Sequence, residues 1–200
     1  MLNFLQNFYR SFYIYAIGII SSNFLILLIL PYLTEVFNPD QFALIEIYTI
    51  LITLIMIITN FGLGDAQSFY YYKYKENSFK QKQVISKSFI LRILITIITL
   101  IILSLIYITI DSFKNIFNYN FILFATIFLI ASLTGIFNQG LIVLNIKFYQ
   151  WKFNIFNILK TFLIFVFLIF FLYLNNLSIN GYFYSYFFSY LLVTIILWFY

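Results

Sequence analysis

Residues 89–110 read FILRILITIITLIILSLIYITI, an apolar run whose only charged residue is Arg92. A helix needs about 20 apolar residues to cross roughly 30 Å of hydrocarbon, and this run is long enough. A closed β-barrel also satisfies backbone polar groups in lipid. Its strands, however, alternate in polarity and are about half as long as this run. The run therefore predicts a membrane-spanning α-helix.

The composition extends this prediction to the whole chain. Of the 200 residues, 64% are hydrophobic and 8% are charged, and the mean hydropathy is +1.01. Soluble domains carry about 25% charged residues, so this chain cannot cover a water-facing surface. We expect an all-α integral membrane protein, a single domain over residues 1–200 with six transmembrane helices. The spans are predicted near residues 12–30, 42–61, 89–110, 121–142, 155–174 and 181–200.

Several classes of chemistry are excluded by composition. The chain has no cysteine and no histidine, which rules out disulfides and thiolate metal sites and removes the commonest general base. The acidic residues are scattered, and neither a glycine-rich phosphate loop nor a zinc motif is present. We therefore expect no enzyme, and no catalytic residue, metal or cofactor.

The basic residues define the orientation. All of them except Lys114 lie before the first predicted span, in or beside the long second connection at 62–88, or in or beside the fourth connection. Because lysine and arginine are retained on the cytoplasmic side, the N-terminus and the second connection are predicted to be cytoplasmic. The net charge of +5 thus reflects topology, with attraction to anionic lipid headgroups as a by-product. Nucleic acid is not an expected partner.

The end of the chain differs from that of most complete membrane proteins. The sixth predicted span runs to Tyr200 with no polar or basic residue beyond it. A last helix is usually anchored by such residues. We therefore expect this chain to be the front part of a longer protein.

Cationic residues mark one end of a polar face on three predicted helices. When the spans are drawn at 100° per residue, most of their polar side chains share one face of each helix. Basic residues continue these faces at the cytoplasmic end, at Arg10, Arg92 and Lys160. Such groups attract an anionic group such as a phosphate. Snorkelling to the interface as topological anchors is the open alternative for all three.

Further polar residues on these faces are candidates for the lining of a cavity, namely Glu46, Asn60, Asn138 and Gln139. Polar side chains in spans usually face a cavity or another helix, so close helix packing remains open for the small ones. Glu46 lies about one turn into the second predicted span. It is either exposed at the interface or a carboxylate that couples transport to a proton or cation.

A family resemblance follows from motifs within residues 10–76. Arg10 opens the first helix, Pro31 precedes LTEVFNPDQFALIE at residues 33–46, and NFGLGDA at 60–66 is followed by FYYYKYKE at 69–76. This order resembles bacterial polysaccharide flippases of the O-antigen and capsule type, in the multidrug/oligosaccharidyl-lipid/polysaccharide exporter superfamily. Two departures are Ala43, where the family commonly has glycine, and Ser68, where a basic residue often stands. The second puts a substrate role for that position in doubt.

The resemblance implies one six-helix lobe of a two-lobe flippase in the bacterial inner membrane. Such a protein would translocate a polyprenyl-diphosphate-linked oligosaccharide, a polysaccharide repeat unit, by alternating access. The implied partners are this lipid-linked oligosaccharide, membrane lipids, and a polysaccharide polymerase with glycosyltransferases. Arg10, Arg92 and Lys160 would then contact the diphosphate.

Other functions remain open. A cation-coupled multidrug exporter of the same superfamily would need a buried acid, for which only Glu46 is available in this chain. A membrane-embedded transferase acting on lipid-linked sugars would need a catalytic acid or base near the membrane surface. A non-transporting membrane subunit or a truncated remnant is the third alternative, since one lobe cannot rock against a missing partner.

Overall fold

The computed structural model describes residues 2–117, 120–174 and 179–199, and this part of the chain contains helices and turns but no β-strand. The helices are α1 (Leu2–Val36), α2 (Pro39–Asn60), α3 (Leu63–Lys73), α4 (Ser78–Thr109), α5 (Asp111–Ile116), α6 (Phe121–Ile146), α7 (Gln150–Leu168) and α8 (Ile179–Phe199). A π-helical segment, Ile169–Leu174, continues α7.

Six helical stretches in the described residues are long and apolar enough to cross a membrane. They are Ala16–Val36, Pro39–Lys73 (which contains both α2 and α3), Ser78–Thr109, Phe121–Ile146, Gln150–Tyr173 and Ile179–Phe199. The prediction of an all-α, multi-pass membrane protein is confirmed. Tyr200, the predicted end of the sixth span, lies outside the described residues.

The connection predicted at 62–88 is largely helical instead. It contains α3 and the first turns of α4, whose N-terminus is capped by Asn77: its side chain accepts a 3.0 Å hydrogen bond from the backbone N–H of Lys80. Hydropathy did not detect the first turns of α4, because the lysines and glutamines that form them favour helix without being apolar. Only residues 74–77 separate α3 from α4.

The connection predicted at 31–41 is also shorter, because α1 continues past Pro31 to Val36. Membrane helices tolerate an internal proline when other groups satisfy the freed backbone. A capping box then starts α2. The backbone N–H of Gln41 donates to Asn38 Oδ1 over 2.9 Å, and Gln41 Oε1 accepts from the N–H of Asn38 over 3.1 Å.

The chain forms two compact units, the first of which comprises Met1–Phe42 and Val143–Tyr200. Within it α7 packs against both α1 and α8. A glycine allows the close approach to α1, because the Asn154 side chain occupies the place where a Cβ on Gly18 would lie. Asn154 Nδ2 also donates to the carbonyl of Ile14, so one buried amide both fills the contact and ties the two helices together.

The second unit, Ala43–Ile142, contains the packed pair α3 and α4, with α5 against α4. An aromatic cluster holds the end that carries α5. Tyr48, at 1% exposure, stacks on Phe117 at a centroid distance of 5.7 Å, and its hydroxyl donates to the carbonyl of Ile116 over 2.8 Å. Tyr107 stacks on Phe124 at 4.8 Å in the same cluster. One face of α4 remains apolar and exposed, as expected of a surface in contact with lipid.

Candidate functional site

The α4 helix buries a cationic side chain in the second unit. Ser88, Arg92 and Thr99 are buried residues of α4, and their spacings of four and seven place them on one helical face. Arg92 is only 2% exposed. The polar face predicted for this span therefore points inward, and it carries a guanidinium with it.

Two neutral side chains bind the Arg92 guanidinium. Its Nε donates to Gln139 Oε1 of α6, and its Nη2 donates to Asn60 Oδ1 at the end of α2, each over 2.5 Å. The third nitrogen lies over a glycine: a Cβ at Gly135 would be 2.8 Å from Nη1. The absence of a side chain at Gly135 thus leaves the space that the guanidinium occupies.

The hydrogen bonds continue beyond Gln139. Its Nε2 donates to Gln67 Oε1 over 3.0 Å and to Ser88 Oγ over 3.1 Å, and Ser88 Oγ donates to Gln67 Oε1 over 2.7 Å. We call these five residues, Asn60, Gln67, Ser88, Arg92 and Gln139, the amide cluster. Gln139 is fully buried and Gln67 is 1% exposed, so the hydrogen bond between Arg92 and Gln139 lies away from water, whereas the one to Asn60 is only partly buried.

The positive charge of the amide cluster lacks a counter-charge. In the part of the chain that the structure describes, the recorded ion pair is Lys114 with Asp111, and no carboxylate pairs with Arg92. Burying an arginine within a membrane-spanning helix is costly. Amide oxygens offset part of this cost through charge-assisted hydrogen bonds. What remains is a buried cation that can accept an anionic partner.

Of the predicted site residues, Arg92, Asn60 and Gln139 are brought together. Asn138 is exposed, and its amide nitrogen contacts Met56 Sδ at 3.6 Å instead of joining the cluster. Glu46 is exposed on α2 and makes no contact with the cluster.

The other two predicted cations belong to the first unit. Lys160 lies on α7, with its Nζ 5.9 Å from the ring centroid of Tyr190 on α8, which is within reach of a cation–π interaction. Arg10 lies within α1, and its side chain falls outside the described part of the chain. The contribution of Arg10 and Lys160 to a common site stays a prediction.

Besides Ser88, which was not a predicted site residue either, the member of the cluster that sequence reasoning missed is Gln67. The region around it was expected to be an extramembrane connection, so its polarity drew no notice. A signal was nevertheless present, because Gln67 follows Asn60 by seven residues, which is two turns of helix. Gly62, in the left-handed conformation at φ 72°, interrupts the helix between them.

No protein-family model matches the chain, and neither a curated protein nor a solved structure matches it. The resemblance to polysaccharide flippases therefore rests on the sequence motifs, and any function must be argued from the geometry of the amide cluster.

Proposed function

We propose that this protein is the translocating lobe of a flippase that moves a polyprenyl-diphosphate-linked oligosaccharide across the bacterial inner membrane. The single observation that carries the proposal is the buried Arg92 guanidinium, which amides hold and no described carboxylate neutralises. Buried charges in membrane proteins are costly and usually mark a pathway for substrate or ions. A lipid-linked diphosphate is a membrane-borne substrate with the complementary charge.

The guanidinium suits this substrate in its chemistry. A planar fork of N–H donors matches the oxygens of a phosphate, and hydrogen bonds between charged partners are about twice as strong as neutral ones. Phosphate oxygens would thus displace the Asn60 or Gln139 oxygen from Arg92 with a net gain. The released amides would then be available to sugar hydroxyls.

The proposed mechanism is alternating access, in which Arg92 exchanges its amide partners for the diphosphate on one side and recovers them after release. Arg10 and Lys160 are the further candidate contacts for the diphosphate. The motif resemblance of residues 10–76 supports the same function from an independent direction.

A multidrug exporter of the same superfamily is the less supported alternative. Binding of a cationic drug favours a buried acid. The only acid within the predicted spans, Glu46, is exposed, whereas the buried ionisable residue of the amide cluster is a cation.

The test is complementation of a deletion strain by the full reading frame. Loss of the protein should deplete surface polysaccharide and leave the lipid-linked oligosaccharide accumulated in the inner leaflet, as measured by leaflet-specific labelling. Arg92→Gln should reproduce this defect, because it removes the charge while keeping an amide donor. Arg92→Lys should restore transport only in part, since a point charge cannot replace the fork.

Lys82→Gln is the matched control. It removes one positive charge from an exposed position of α4 and leaves the amide cluster intact. Transport at the normal rate in Arg92→Gln would contradict the proposal. Normal surface polysaccharide together with accumulation of toxic cations in the deletion strain would favour the exporter.

A further inference from the structure

A second polar feature of the second unit lies between α3 and α4, at the lysine-rich end that the positive-inside rule places in the cytoplasm. It is a cavity of about 380 Å³, and no acid is among its lining residues. Gln67 and Ser88 are the buried lining residues, so they form its inner end. Lys80, Gln83 and Lys87 are exposed and form its rim.

The inner end of this cavity carries an unused hydrogen-bond donor. Gln67 Nε2 is buried and has no hydrogen-bond partner. A buried N–H without a partner is destabilising, and an occupant of the cavity that accepts its hydrogen bond would remove that penalty. Because Gln67 lines the cavity, an acceptor inside it is the natural partner.

Arg92 explains why the unpaired group of Gln67 is its amide nitrogen, a donor, and not its oxygen. The guanidinium requires the oxygen of Gln139, so the Gln139 amide presents its nitrogen on the other side. That nitrogen requires the oxygen of Gln67, and the Gln67 nitrogen is thereby left as the free end of the chain of amides. The buried charge thus sets the polarity of the cavity two hydrogen bonds away.

The rim of the cavity adds positive charge, which also favours an anionic occupant. Lys80 lies with its Nζ 5.2 Å from the ring centroid of Tyr74, another lining residue, so a cation–π interaction holds it near the opening. Lys87 follows on the next turns of α4. Each basic residue near an anionic membrane surface strengthens the attraction to that surface.

We propose that this α3–α4 cavity binds the phosphate group of an anionic membrane lipid in the cytoplasmic leaflet. The phosphate oxygens would accept from Gln67 Nε2 and pair with Lys80 and Lys87. Leu63 and Leu91, which also line the cavity, provide an apolar surface for the attached glycerol and acyl chains. The site goes beyond the proposed transport function, because a resident lipid is bound here whether or not a substrate is carried.

The test measures lipid binding to the full-length chain by native mass spectrometry in mild detergent, with phosphatidylglycerol as the probe and zwitterionic phosphatidylcholine for comparison. One phosphatidylglycerol should bind preferentially. The double variant Lys80→Gln/Lys87→Gln should weaken that binding by roughly tenfold to thirtyfold. The matched control Lys75→Gln/Lys82→Gln removes the same charge from exposed positions outside the cavity and should change it less than about threefold.

Gln67→Glu tests the inner donor and keeps the side-chain oxygen that accepts hydrogen bonds from Ser88 and Gln139. A carboxylate still accepts from Ser88 and Gln139, but it replaces the free donor with an acceptor. Binding should fall by at least about tenfold, with the chain still folded. Wild-type binding in Gln67→Glu, or an equal loss in the control variant, would overturn the proposal.

Competition with inorganic phosphate at constant ionic strength distinguishes the source of the phosphate. Weak competition at millimolar concentration is expected for a lipid site, and saturable binding of inorganic phosphate without lipid would overturn the lipid assignment. Because this readout is binding, its failure is separate from that of the proposed flippase. A chain that binds phosphatidylglycerol at this cavity and transports nothing would refute the transport proposal alone.

Discussion

Arg92 and Gln139 are joined by a 2.5 Å hydrogen bond that links α4 to α6 within the second unit. Both side chains are at least 98% buried, with exposures of 2% and 0%. A cation held by neutral amides has no opposite charge beside it, unlike a cation in an ion pair. The relationship therefore identifies Arg92 as a residue whose burial is costly and whose charge remains available to a ligand.

The unfolding free energy of the Arg92→Gln variant tests whether Arg92 serves function or holds the fold together. Removing a buried, uncompensated charge relieves its desolvation, and the new amide can still donate to Gln139. The free energy of unfolding in detergent should thus change by less than about 1–2 kcal/mol, although transport is lost. Titration with a denaturing detergent, followed by circular dichroism, measures it. A loss of 3 kcal/mol or more, on the order expected for breaking a buried ion pair, would mean that Arg92 mainly holds the fold together.

Gly135→Ala should displace the guanidinium. The added Cβ would lie 2.8 Å from Arg92 Nη1, so either the arginine or α6 must shift, at a cost of about 1–3 kcal/mol. The double variant Gly135→Ala/Arg92→Gln removes the clash and should be more stable than the sum of the single variants indicates. Strict additivity in this cycle would show that the two residues do not touch.

Tyr48→Phe should weaken the aromatic cluster of the second unit. It removes the 2.8 Å hydrogen bond to the carbonyl of Ile116 while keeping the stacked ring. The expected loss of unfolding free energy is about 1 kcal/mol. Tyr107→Phe is the matched control, because Tyr107 is buried in the same cluster and its recorded contacts there are ring contacts. An equal loss in both variants would assign the effect to something other than this hydrogen bond.

The orientation can be tested directly, because the natural chain has no cysteine. Lys80→Cys and Asn115→Cys each introduce one thiol at an exposed position. A membrane-impermeant maleimide should label Asn115→Cys in intact cells and Lys80→Cys only after permeabilisation, because lysine-rich segments remain inside. The opposite pattern would reverse the predicted topology and place the α3–α4 cavity on the outer side.

Hydropathy and charge were sufficient for the membrane architecture. The free energy of transferring an apolar run from water to lipid depends on the residues of that run alone. The six spans could therefore be predicted one segment at a time, as for residues 89–110. Where solvation no longer decides, the helices extend beyond the predicted spans. The first turns of α4 are helical because of the propensity of their lysines and glutamines and the Asn77 cap, neither of which raises hydropathy.

Two adjacent residues of the predicted site, Asn138 and Gln139, show what sequence can and cannot predict. Helical periodicity placed both Asn138 and Gln139 on the polar face of α6, but only Gln139 meets Arg92, and Asn138 is exposed. Periodicity fixes the spacing of side chains around one helix. It does not fix how that helix is rotated and shifted against its neighbours, which packing decides. The sequence alone thus determined that cationic and amide side chains lie on apolar helices long enough to span a membrane. Only the tertiary structure decided that Arg92 meets Asn60 and Gln139 and, through Gln139, reaches Gln67.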